Sequence, residues 1–106
     1  MPRKVDSKTL DEQVIAGGRN ALVLFYGDWC SDCKAFKPLW NRWTKGKRGS
    51  IFELEVGRGS KEWREWDLKE IPTVALFIEG AEDDRADGTI QKKHLDVLWT
   101  KLKSEE

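Results

Sequence analysis

The chain has 106 residues, with 19 basic and 19 acidic side chains that cancel to zero formal charge, and 39% of its residues are hydrophobic. That length suits one small domain with a single core. A neutral balance gives no electrostatic basis for nucleic-acid binding, and no apolar run approaches the roughly 18 residues that cross a bilayer. No basic segment followed by an apolar one begins at Met1, so the expectation is a cytoplasmic monomer with no membrane or nucleic-acid partner.

Val5 fits a very short first strand. Asp6 or Ser7 can cap a helix that carries Leu10, Val14 and Ile15 on one face and ends at Gly17-Gly18. Ala21 to Tyr26 is a continuous apolar run, the pattern of a strand buried on both faces. Trp29-Cys30-Ser31-Asp32-Cys33 follows, and Phe36, Leu39, Trp40 and Trp43 then recur at helical spacing until Gly46 and Gly49. These tryptophans fit a core better than a site.

Ile51 to Val56 alternates and predicts a strand, after which Gly57 and Gly59 break the chain. Ser60 can cap a short helix through Trp63, Trp66 and Leu68. Ile71-Pro72 precedes a buried strand over Val74 to Ile78. Gly80 turns the chain into an acidic patch, Glu82 to Asp87, read as a hairpin leading to a last short strand near Gly88. A final helix carries Leu95, Leu98, Trp99 and Leu102 on one face. The order (β)αβαβαββα predicts an α/β domain over residues 1–106, with a central sheet between helices.

Cys30 and Cys33 are the only cysteines. Two thiols at this spacing on a helix N-terminus lie on one face, close enough to bridge. Cys30, at the N-cap or first turn, meets unpaired backbone N–H groups and the positive end of the helix dipole, both of which stabilise a thiolate. Cys33, one turn further in, is placed to resolve a mixed disulfide. In a reducing compartment such pairs are transient and catalytic. Structural thiols are one alternative and zinc is another. A structural zinc site takes about four protein ligands, and the chain adds only His94.

The chain resembles the thioredoxin family over nearly its whole length. The resemblance rests on Phe25-Tyr26-Gly27-Asp28-Trp29-Cys30-Ser31-Asp32-Cys33-Lys34, on Pro38, on Ile71-Pro72-Thr73 before a buried strand, and on Gly88. It implies a thioredoxin-like fold with a mixed four- to five-stranded sheet and a cis bond before Pro72. It also implies thiol–disulfide exchange, in which Cys30 attacks and Cys33 resolves, with no cofactor beyond a redox-active Cys30–Cys33 disulfide. Trp29, Ile71, Pro72, Thr73 and Gly88 would meet the substrate. The implied partners are disulfide-containing proteins and a thioredoxin-reductase-like electron donor.

Three departures from the family pattern stand out. Ser31-Asp32 replaces the usual Gly-Pro between the cysteines. Leu24 occupies the position of the family's buried aspartate, which helps the resolving thiol lose its proton. Glu53 aligns with a strand lysine that normally lies close to that acid, and two readings follow: Glu53 supplies the missing carboxylate, or it points to solvent on an alternating strand. Asp28, Asp32, Glu70 and Asp87 also place negative charge where many thioredoxins are small or apolar; either all four face the substrate groove and favour basic partners, or they form a merely solvated surface. The leading expectation is a protein disulfide reductase tuned by Leu24, Asp28, Ser31 and Asp32. A redox sensor or partner-binding module with little turnover is the alternative.

Overall fold

The computed structural model describes residues 2–105. Its centre is the apolar run: β2 (Ala21–Tyr26) is buried at every position. β3 (Ile51–Glu55) lies parallel to it on one side, and β4 (Thr73–Ile78) antiparallel on the other. β1 (Arg3–Val5) adds parallel to β3, and β5 (Ala81–Asp87) antiparallel to β4. The five strands run in the order β1-β3-β2-β4-β5.

The acidic stretch is therefore itself the edge strand. It is not a hairpin leading to a later strand near Gly88. Charged side chains on an edge oppose pairing with a second chain, and several here are matched within the fold. Arg85 pairs with Glu82, and Lys101 reaches Asp84 at 2.9 Å.

The helices are α1 (Ser7–Leu10), α2 (Ser31–Thr44), α3 (Glu62–Glu65) and α4 (Lys92–Ser104). Asp6 caps α1 by accepting the Thr9 N–H at 2.8 Å, and the helix continues as a π-helical turn, Asp11–Ile15. α3 is shorter than the sequence suggests. Ser60 meets the Trp63 N–H with its carbonyl, not its hydroxyl, so it is no side-chain cap. At α4, the His94 ring nitrogen Nδ1 accepts the Gln91 N–H at 2.9 Å and closes a capping box.

Strand alternation sorts these helices onto two faces. On one, Trp66 packs against Phe25 and Phe77 and donates to Ser7 Oγ at 2.9 Å, which sets α1 and α3 together. On the other, Trp40 of α2 reaches Glu53 on β3, and Trp43 donates to Asp96 of α4 at 2.9 Å while meeting Trp99 edge-on. Phe36, Trp40 and Trp43 recur at helical spacing on the buried side of α2, which runs through Pro38 without interruption. Truncating the fully buried Trp40 to alanine would cost about 3–5 kcal/mol, so α2 is anchored firmly along its length.

Candidate active site

The site forms where β2 ends and α2 begins. The Gly27 carbonyl accepts the Cys30 N–H at 3.2 Å, a tight turn that delivers Cys30 as the N-cap of α2. Cys30 Sγ then accepts the Cys33 N–H at 3.1 Å, satisfying one of the backbone donors left open at a helix start. The Cys30 thiol in turn donates to the Ile71 carbonyl at 3.6 Å. That carbonyl is presented by the loop entering β4, where the Ile71–Pro72 peptide is cis.

Cys33 sits in a different environment. It is 2% exposed, and burial, followed by its hydrogen bond with Cys30, pushes its thiol up to about 12, with Asp32 adding to the effect. The two sulfurs thus have unequal tasks. Cys30, 8% exposed, takes the Cys33 N–H beneath the groove, and Cys33 holds its proton.

Trp29 makes the wall beside Cys30. Its indole N–H donates to the Val56 carbonyl at 2.9 Å, the Arg58 guanidinium covers the ring at 4.6 Å from its centroid, and Trp63 lies 6.2 Å away. Gly27 makes this posture possible: a Cβ there would stand 2.6 Å from Trp29 Nε1 and 3.0 Å from the Val56 carbonyl oxygen.

A depression of about 410 Å3 opens over Cys30, lined by Trp29, Arg58, Trp63, Lys69 and Ile71 together with Asp32 and Glu70. A second, of about 370 Å3, carries Phe36, Leu39, Gly88 and Ile90, and shares Asp32 and Glu70 with the first. The Glu70 side chain lies across Gly88, whose φ is +74°, and a Cβ on Gly88 would come within 2.8 Å of Glu70 Oε1. Of the four acids expected along the groove, Asp32 and Glu70 therefore line it. Asp87 is exposed on β5 and lines neither depression. Thr73 is fully buried, and its hydroxyl donates to the Glu70 carbonyl at 2.7 Å. It braces the loop from beneath and is not part of the groove wall.

Asp28 faces the other side of the cysteines. With Tyr26, Cys33, Lys34, Lys37, Glu55 and Lys4 it lines a cavity of about 180 Å3. The neighbouring Asp28 carboxyl raises the Glu55 carboxyl, and burial adds to the rise.

Leu24 is fully buried and pairs in register with Glu53. Glu53 is 5% exposed, and its carboxylate accepts from Trp40 Nε1 at 2.7 Å and Lys37 Nζ at 3.1 Å. It points inward, not to solvent, because α2 covers the face of β3 that alternation would leave wet. Its carboxylate opens onto a cavity lined by Lys4, Lys37, Asn41, Thr44 and Lys45, which Cys33 does not line. Sequence reasoning missed Glu55, Arg58 and Trp63. A two-residue step along β3 from Glu53 could have found Glu55.

The sequence profile of the thioredoxin family matches residues 2–101. The chain belongs to the thioredoxin family. It is a thiol–disulfide oxidoreductase, and its Cys30 and Cys33 have the spacing of that family's C-x-x-C motif. It is 27% identical over 97 residues to a thioredoxin of Mycoplasmoides gallisepticum, across 91% of this chain and 97% of that one. It is also 27% identical over 101 residues to a thioredoxin of Rickettsia bellii, across 93% and 95% of the two chains. A solved structure of a mutant thioredoxin from Halobacterium salinarum superposes with a TM-score of 0.72 at 21% identity, covering 98% of this chain and 89% of that one, which supports the fold. Thioredoxins act on disulfide-containing proteins and are served by reductases. They need no cofactor, and among the described residues no cluster of His, Cys, Asp or Glu could hold a metal ion. No described helix is long and apolar enough to cross a membrane.

Proposed function

We propose that the protein is a disulfide reductase in which Cys30 is the nucleophile and Cys33 the resolving thiol. The observation that carries this reading is the asymmetry of the pair. Cys30 Sγ caps α2 at the mouth of a groove and takes the Cys33 N–H, while the buried Cys33 keeps its proton up to about 12. Cys30 thiolate attacks a substrate sulfur, a mixed disulfide forms, and Cys33 displaces the substrate to leave Cys30 and Cys33 bridged.

Trp29 and Ile71 with Pro72 form the platform on which the substrate chain lies, and Gly88, with the Glu70 side chain across it, borders the groove opposite. Backbone groups at Ile71 can pair with an extended substrate segment. Thr73 acts by holding the Glu70–Pro72 loop. Asp28, Ser31 and Asp32 tune the pair. The electron donor is a thioredoxin-reductase-like partner, the compartment is the cytoplasm, and the protein works as a monomer.

Catalytic reduction of insulin by dithiothreitol tests this reading against a low-turnover sensor. Turbidity that develops in proportion to sub-stoichiometric protein, and vanishes with Cys30→Ser, supports the reductase. Reduction of the protein without acceleration of insulin precipitation supports the sensor.

A further inference from the structure

The resolving step requires a base, and Leu24 offers none. Glu53, the acid that sequence alignment suggests, is occupied by Trp40 and Lys37 on a different cavity. The cavity that Cys33 does line holds two other carboxyl groups. Tyr26 and Glu55 are partners across β2 and β3, and strand alternation puts Glu55 on the same face as Glu53, one pleat nearer the start of α2. Asp28, from the turn before Cys30, meets it there.

We propose that the Asp28–Glu55 carboxyl pair accepts the Cys33 proton during resolution, through solvent in the cavity that all three residues line. This rests on the exchange reaction proposed above. A space of about 180 Å3 is ample for bridging water. Two carboxyl groups facing one small cavity disfavour joint ionisation, and the raised Glu55 carboxyl is the better base toward a thiol. The other charged and titratable groups facing the cavity are Lys4 from β1, Tyr26 from β2, and Lys34 and Lys37 from α2. Lys4 and Lys37 oppose the rise at Glu55. Tyr26, pushed by burial to about 12, stays protonated and does not compete as a base.

Cys33 Sγ–H gives its proton to the carboxyl pair as its sulfur attacks Cys30 Sγ. The Cys30–Cys33 bond forms, the bond from Cys30 to the substrate sulfur breaks, and the substrate leaves as a thiolate that takes a proton from the pair or from solvent. Two electrons pass from the protein thiols to the substrate disulfide.

Stopped-flow reaction of the reduced protein with excess dithiodipyridine separates the steps, because attack and resolution each release one pyridinethione. In Glu55→Gln the first phase should stay within about twofold of wild type, while the second slows on the order of tenfold to a hundredfold at neutral pH. The wild-type second phase should rise through the carboxyl range and level off, whereas in Glu55→Gln it should keep climbing with pH toward the Cys33 titration. Asp28→Asn should slow the second phase as well, and the double variant should be no slower than the worse single one, since the two groups act as a unit. Unchanged second phases and pH profiles in both single variants would overturn the proposal. So would a second phase slowed in Glu53→Gln but not in Glu55→Gln. A wild type with no first phase would instead remove the exchange reading on which the proposal rests.

Discussion

Leu24 and Glu53 stand opposite one another across β2 and β3, and the charge beneath α2 comes from the second of them. Trp40 Nε1 and Lys37 Nζ both use that carboxylate. Glu53→Leu leaves the fully buried indole N–H without an acceptor, a cost of about 1–3 kcal/mol. Glu53→Gln keeps an acceptor for Trp40 and loses the ion pair to the partly exposed Lys37, a cost of about 1 kcal/mol or less. Urea unfolding should therefore rank Glu53→Leu below Glu53→Gln. A leucine variant as stable as wild type would show that Trp40 finds another partner.

Gly27 and Trp29 are coupled sterically. Gly27→Ala places a methyl group where the indole nitrogen lies, and relief requires either Trp29 or the Val56 backbone to move. Overpacking of this kind costs about 1–3 kcal/mol. The variant should also reduce protein disulfides with a raised KM, because the groove wall has shifted. Wild-type stability together with a wild-type KM would contradict the packing described here.

The local features of this fold were readable in the chain. An apolar run, two cysteines and a helical stripe of Phe36, Trp40 and Trp43 are contiguous, and so are Ile71-Pro72 and the strand they precede. Features set by distant partners were not. Ala81–Asp87 is acidic, a composition depleted in strands, and becomes β5 only because β4 offers an edge to pair with. Glu53 stayed open between an inward carboxylate and a solvent-facing one, because alternation alone does not reveal that Trp40 and Lys37 of α2 meet it. Arg58 reaches Trp29 from a loop after β3, a contact with no periodicity to announce it.

The raised Cys33 and Tyr26 ionisations fix the sign of an alkaline effect. In the unfolded chain these groups titrate near their ordinary values of 9.0 and 10.0, whereas the folded protein holds both protons to about 12. Their contribution to stability is complete below about pH 9 and is lost as pH rises toward 12. Thermal unfolding of the reduced protein should show Tm falling across that interval. Cys33→Ser, which has no proton to lose there, should flatten part of the decline. An equal slope in both proteins would mean that Cys33 titrates as an ordinary thiol.

Asp32 adds negative charge beside the sulfurs and is among the causes that hold the Cys33 proton. Asp32→Asn should stabilise the reduced, ionised pair and make the disulfide more oxidising. The expected shift is on the order of 10–20 mV, equivalent to about 0.5–1 kcal/mol for two electrons. Equilibration against glutathione buffers measures it. A potential unchanged or more reducing would place the Asp32 carboxylate too far from the sulfurs to matter.

The division of labour between Cys30 and Cys33 is tested most directly by trapping. Intact-mass analysis after brief exposure to an excess of a disulfide-bonded peptide should find the peptide attached in Cys33→Ser, with peptide mapping locating it on Cys30. Cys30→Ser should remain unmodified over the same time, and wild type should carry only the internal disulfide. Attachment to Cys33 in Cys30→Ser, at a rate comparable to that of Cys33→Ser, would contradict the assignment of Cys30 as the nucleophile.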